Sequence, residues 1–293
     1  MKIAFAVALS VCAVVPGARW TTPVAPTERT VYVTATDDKR DPVPDLTAAD
    51  FVVKEGGKER EIVKAERATA PLKLALAVEE RLTADAAVRV GLFEFMKRMV
   101  GLGEISLITI GLRNTAVADY TSSLDLLVGG INKFTLNPAR ESAVAEGVLE
   151  LSNRFSEAKP PRPVIVLLAL SGGQAGVEPK LVLDRLGQSG ATMHAVTLAG
   201  GGDAGATGVG SLGSQSGREQ VLGDGPKQSG GRRIDVTATG AMPKALQQIA
   251  NELAAQYAIT YTLPDGVKLD KRLNVSVKRR GVSLRAPSTI PDK

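Results

Sequence analysis

Residues 71–111 read PLKLALAVEERLTADAAVRVGLFEFMKRMVGLGEISLITIG, and this stretch decides the fold. Leu72 to Val78 is nearly continuous apolar sequence, as expected of a strand covered on both faces. Ala84 to Met99 then carries Val88, Leu92, Phe95 and Met99 at helical spacing. Glu104 to Gly111 returns to strand sequence. Strand, helix, strand in this order reads as one unit of a parallel sheet.

The alternation continues outward toward the C-terminus. Ala116 to Thr121 is a weaker strand, Glu141 to Phe155 a helix, and Pro163 to Leu170 (PVIVLLAL) the most apolar strand of the chain. Lys180 to Gln188 reads as a helix, Thr192 to Leu198 as a strand, and Arg232 to Val236 as a last short strand. Ala241 to Gln256 is amphipathic, with Leu246, Ile249, Ala250 and Leu253 on one stripe. Gly200 to Gly231 is rich in Gly and Ser, and is expected to be a long mobile loop. Its glycines form no phosphate-binding fingerprint between a strand and a helix. The whole is an α/β, doubly wound unit over residues 71–256, with helices on both faces of a parallel sheet.

Both flanks change to two-residue alternation. Before the unit lie TVYVTAT at Thr30–Thr36, DFVVKE at Asp50–Glu55 and a further strand at Arg60–Glu66. After it lie YAITYTL at Tyr257–Leu263, KRLNVSVK at Lys271–Lys278 and Val282–Ala286. Residues 19–70 and 257–293 therefore read as two β segments that pair with each other beside the α/β unit. The basic stretch Lys268 to Arg285 is first a strand with a solvated face, a polyanion-binding face being the sharper alternative.

Composition narrows the function. The 293 residues hold one histidine, His194, and one cysteine, Cys12, which excludes zinc-finger clusters and an intrachain disulfide. Aromatic residues are 4%, too few for base-stacking platforms, and the +5 net charge is not gathered into a nucleic-acid arm. Lys2 followed by the apolar run Ile3–Val15 and the small residues Gly17 and Ala18 is the pattern of a signal peptide over residues 1–18. The run is too short to span a membrane, so no transmembrane anchor is expected, and the chain is placed in the periplasm or outside the cell. Residues 18–28 read as a Thr- and Pro-rich tether.

Several phrases carry a resemblance. They are Val33–Asp37 (VTATD), Val43–Val53 (VPDLTAADFVV) and Glu55–Lys58 (EGGK) at the opening. At the close they are Ser229–Arg232 (SGGR), Gln256-Tyr257 and Tyr261-Thr262. Together they resemble the bacterial von Willebrand factor A-related family of exported proteins. The resemblance implies a Rossmann-like A-type domain with a metal-ion-dependent adhesion site at the top of the sheet. Such a site joins an Asp-x-Ser-x-Ser loop, a Thr and a further Asp around Mg²⁺, and an acidic group of a partner completes it.

This chain departs from that pattern at each position. The first loop reads Glu79-Glu80-Arg81-Leu82-Thr83, so a cation stands at a hydroxyl position. The second reads Glu141-Ser142-Ala143, and Ser171 stands where the further Asp belongs. No metal or other cofactor is therefore expected. Partner recognition is expected from Glu79, Arg81, Thr83, Arg140, Glu141, Ser142 and Ser171, on the loops 79–83, 137–142 and 171–174. The leading reading is a non-enzymatic module that binds another protein. One alternative is a hydrolase using Ser171 or the Glu79/Glu80 pair, with His194 as base; a second is an envelope scaffold. His194 itself is expected to be a core or edge histidine with a satisfied ring.

Overall fold

The computed structural model describes residues 27–82, 86–134, 136–137, 141–172, 175–199, 209–264 and 270–291, with 209–216 as backbone alone. The expected leader and most of the tether lie outside these residues, as do Thr83, Arg140 and Gln174.

Four strands open the chain: β1 (Thr27–Thr36), β2 (Phe51–Glu55), β3 (Lys58–Arg60) and β4 (Ile62–Arg67). Then β5 (Leu72–Glu79), α1 (Ala86–Met99), β6 (Gly103–Ile110), β7 (Asn114–Thr121) and α2 (Leu124–Asn132) begin the α/β unit. It continues through α3 (Val144–Ala158), β8 (Pro163–Leu170), α4 (Pro179–Ser189) and β9 (Thr192–Leu198). It closes with α5 (Val209–Gln228), β10 (Arg233–Val236) and α6 (Met242–Ala254). Strands β11 (Tyr257–Leu263), β12 (Leu273–Val277) and β13 (Ser283–Arg285) follow.

The central sheet has the order β10-β9-β8-β5-β6-β7, parallel except for β7, which runs antiparallel to β6 at one edge. The chain starts in the middle at β5, builds outward to β7, then returns to β8 and builds the other way. The switch between β5 and β8 leaves a crevice at their C-terminal ends, where open α/β sheets place their ligands. Period two along β5 sends Leu74, Leu76 and Val78 to one face and Ala75 and Ala77 to the other. The first face is covered by α1, α2 and α6 through residues such as Leu92, Leu127, Leu246 and Ile249. The second is covered by α3, α4 and α5 through Val148, Leu151, Val182, Leu186, Val221 and Leu222. This is the doubly wound, Rossmann-like arrangement expected from the sequence.

The β module is built from both ends of the chain. β1 lies between β11 and β13, β4 lies on the far side of β11, and β12-β2-β3 form a second sheet. Inward residues Val31, Val33, Phe51, Val53, Tyr257, Ile259 and Tyr261 make a separate core. Between them Arg29 meets Glu55 at 3.3 Å, and Tyr261 Oη donates to Glu55 at 2.7 Å.

One expectation fails here. The segment 200–231 is not a loop throughout: it contains the 20-residue helix α5. Two of its glycines are a packing device. Gly217 and Gly225 lie on one face with Val221 between them, at four-residue spacing. A Cβ on Gly217 would come within 3.1 Å of Pro179, and one on Gly225 within 2.9 Å of the Met193 sulfur. Bare backbone lets α5 lie close against α4 and β9. The part of the expected loop at 200–208 lies outside the described residues. Helix α2 was also not expected, because LDLLVGGIN is short and carries two glycines.

Candidate functional site

The site forms where β5 and β8 end. Glu79 follows Ala75 and Ala77 on the face covered by α3 and α5. The two alanines beneath it are small, and the carboxylate is wholly buried. A buried carboxylate needs donors and a countercharge. Three elements supply them. Ser142, two residues before α3, donates its hydroxyl to Glu79 Oε1. The backbone N–H of Leu170, the last residue of β8, donates to Oε2 at 2.7 Å. Arg218 of α5 donates Nη2 to the same Oε2 at 2.6 Å. Arg218 Nη2 also donates to the Leu170 carbonyl at 2.9 Å, so one guanidinium nitrogen ties α5 to β5 and β8 together. Arg218 is as fully buried as Glu79, and its Nε and Nη1 have no hydrogen-bond partner.

The sequence points to Arg81 as the cation of the first loop, and the structure adds a second, Arg218. Arg81 is half-exposed in the turn after β5, while Leu82 beside it is buried in the α1/α6-side core. The cation that meets Glu79 is Arg218, 139 residues further on. Its signal in the sequence is slight: Arg218 precedes Val221 and Leu222 at helical spacing inside the Gly-rich segment. Glu79 and Glu80 do not share a site. Glu80 turns the other way, accepts from the Thr109 hydroxyl at 3.1 Å and packs over Gly111.

Glu141 is exposed at the rim and Ser142 half-buried beneath it. Ser171 is half-buried, and its backbone N–H donates to the Leu198 carbonyl at 2.9 Å. The loops are stitched by backbone bonds: Asn137 N–H to the Glu80 carbonyl at 2.7 Å, and Ala143 N–H to Gly111 at 2.8 Å. Leu112 stands at the same edge with 69% of its surface exposed.

His194 is not near Ser171. Its partner across the β8–β9 ladder is Val166, five residues before Ser171, so the two lie roughly 16 Å apart along the strands. The histidine is wholly buried, and neither ring nitrogen has a hydrogen-bond partner, contrary to the satisfied ring expected from the sequence. Burial first, then the charges of Arg285 and Arg232, hold its pKa down to about 3. A base in this state cannot serve the strand end where Ser171 lies.

The described residues at this edge do not fit the ligand set of a divalent cation. Its carboxylate position is Glu79, whose oxygens are taken by a hydroxyl, an N–H and a guanidinium. Its third-loop carboxylate position is Ser171. Among the described residues, no three of His, Cys, Asp and Glu converge as a metal cluster.

No family model matches the sequence, and no curated relative matches it. Solved structures with a similar fold include proximal thread matrix protein 1 of the mussel byssus. It has 12% identity and a TM-score of 0.47 over 65% of this chain and 49% of that one. A von Willebrand factor type A protein from Catenulispora acidiphila has 8% identity and a TM-score of 0.44, over 92% and 74%. BatB from Bacteroides thetaiotaomicron has 11% identity and a TM-score of 0.42, over 62% and 98%. The chain spans about half the length of the mussel protein it matches. The fold assignment rests on strand order and helix placement. No helix among the described residues is long and apolar enough to cross a membrane.

Proposed function

We propose that the chain is an exported, non-enzymatic protein-interaction module of von Willebrand factor A type that works without a metal. The observation that carries this reading is the Arg218–Glu79 pair. In the A-type site a metal ion supplies positive charge at the sheet's C-terminal edge. Here a tethered guanidinium supplies it, bonded to the carboxylate that would otherwise hold the ion. A divalent cation entering beside Arg218 would meet strong like-charge repulsion in a poorly solvated place. The partner surface is then the rim around the pair: Arg81, Glu141, Ser142, Ser171 and the exposed Leu112, with Thr83 and Arg140 on the same loops. An apolar anchor ringed by mixed charges suits a polar, transient interface with another protein. The hydrolase alternative loses support from the separation of His194 and Ser171, and from the opposite facing of Glu79 and Glu80.

The test has two parts. Titration calorimetry and melting scans of the protein with millimolar Mg²⁺ or Ca²⁺ are expected to show no binding heat and no rise in Tm. A bound ion at 100 times its Kd would add about 2.7 kcal/mol, which a melting scan reads easily. A rise that Glu79→Ala abolishes would overturn metal independence. Capture of partners from an exported fraction is expected to survive chelator and to weaken with Arg81→Glu and Leu112→Ala. Capture that chelator abolishes, or that ignores both substitutions, would count against the rim as the binding surface.

A further inference from the structure

The other end of the central sheet carries an unusual joint. The C-terminal end of α6 is the post on which the β module is docked, and arginines surround it. Arg162, just before β8, donates to the Leu253 carbonyl and, through Nη2, to Gln256 Oε1 at 2.7 Å. Its guanidinium lies over the Tyr32 ring of β1 at 5.4 Å. Arg67 of β4 donates to the Ala255 carbonyl. Arg232, from the α/β unit, and Arg285, from β13, both pair with Glu252 of α6. Cations are favoured at a helix C-terminus, where carbonyls lack partners and the dipole is negative. The apolar cores on either side are separate, so this joint is largely polar.

His194 sits beneath it. The ring shares a face of β9 with Val196, on the side of the sheet covered by α6. Gly231 closes over it: a Cβ there would be 1.8 Å from the Met193 carbonyl oxygen and 3.4 Å from His194 Cδ2. The charged groups facing the joint are Arg232 from the segment before β10, Arg285 from β13 with Arg40 near it, and Glu252 from α6, with Arg162 and Arg67 at its border. Across the ladder on β8 stands Val166, which carries no charge. Among the described residues the carboxylate at the joint is Glu252, which already serves two arginines, and the buried Arg285 Nε has no partner. A proton on His194 would add a further buried cation with no acceptor beside it.

We propose that the joint between the β module and the α/β unit is an acid-sensitive latch, with His194 as its trigger. Above neutral pH the ring is uncharged and the joint closes. On acidification the proton binds only when the ring is exposed, so it favours the state in which β13 and the end of α6 have parted. The sign follows from linkage. The folded pKa, about 3, lies below the ordinary value of 6.5, so closure is undiminished above 6.5 and weakens as pH falls from there toward 3. Between pH 7.5 and pH 5 the open form gains about thirtyfold, the ratio of proton uptake at an ordinary histidine over that range.

Peptide-resolved amide exchange on the full chain at pH 7.5 and 5, corrected for the intrinsic pH dependence, tests this. The expected result is an increase of about thirtyfold in peptides covering the end of α6, the start of β11 and β13. Strands β5 and β8 should stay protected. In His194→Leu and His194→Gln the corrected rates should no longer depend on pH. An unchanged joint at pH 5, an increase spread evenly over the sheet, or the same pH response in a folded His194 variant would each overturn the proposal. Should both variants fail to fold, the selectivity of the increase in the unaltered protein decides.

Discussion

Glu55 in the β module and Glu79 in the α/β unit are both fully buried, and each carboxylate pairs with an arginine: Arg29 at 3.3 Å and Arg218 at 2.6 Å. The surroundings differ. Glu55, Arg29 and Tyr261 sit on β2, β1 and β11, strands already fixed by their ladders. The pair there joins two sheets that have a core of their own. Arg218 sits on α5, a helix with glycines at 210, 213, 217, 223 and 225 and Pro226 inside it. Glycine is about 1 kcal/mol less favourable than alanine in a helix, and proline about 3. Helix α5 therefore owes its place to docking, through Val221, Leu222 and Arg218, rather than to propensity. One pair braces structure that exists without it. The other holds a weak helix over the functional edge.

The comparison can be broken by substitution. Arg29→Ala should have the largest effect, about 3–5 kcal/mol in urea unfolding, because it strands a buried charge with only the Tyr261 hydroxyl beside it. The exchange signature should spread through the β module. Arg218→Ala should fall near the low end, about 3 kcal/mol, because Glu79 keeps the Ser142 hydroxyl and the Leu170 N–H. Its exchange signature should be local to α5, with the β module unchanged. If Arg218→Ala loosens both modules alike, α5 is not a separately docked helix and the contrast fails. Ser142→Ala should be the smallest, about 1 kcal/mol, the loss of one hydroxyl donor out of three. A loss as large as that of Arg218→Ala would mean that the hydroxyl, rather than the guanidinium, secures the carboxylate.

How much of this the sequence shows depends on the element. Strands β5 and β8 are legible because residues covered on both faces leave unbroken apolar runs, LKLALAV and PVIVLLAL. Helix α6 is legible because its apolar stripe, Leu246, Ile249, Ala250 and Leu253, faces the sheet at helical spacing. Helix α5 is not, since glycine signals a flexible chain and a close-packed helix face equally well. Only the proximity of Pro179 and Met193 decides between them. The site was legible in part for the same reason. Glu79 could be found from its place at a strand end. Its partner could not, because 139 residues separate them and Arg81 offered a nearer cation. His194 shows its burial in the flanking Met193 and Ala195, but no local pattern reports that both ring nitrogens lack partners.

The register of β4 and β11 has a consequence for how the chain comes together. Arg67, the last residue of β4, lies directly opposite Tyr257, the first of β11. The whole α/β unit is thus inserted between two neighbouring residues of one antiparallel pair, which stand about 5 Å apart. Strand β1 must likewise find β11 across the chain, with Thr30 meeting Thr260 at a separation of 230 residues. Closing such a loop in an unfolded chain is entropically unfavourable, whereas a folded insert delivers its two ends side by side. The topology therefore predicts an order of folding: the insert first, then the β module that its ends bring into register. In chain order β1 and β4 precede β11, the strand that lies between them, and β2 precedes its partner β12. The interval before those partners pair, rather than the finished fold, is where this protein is most exposed to mispairing.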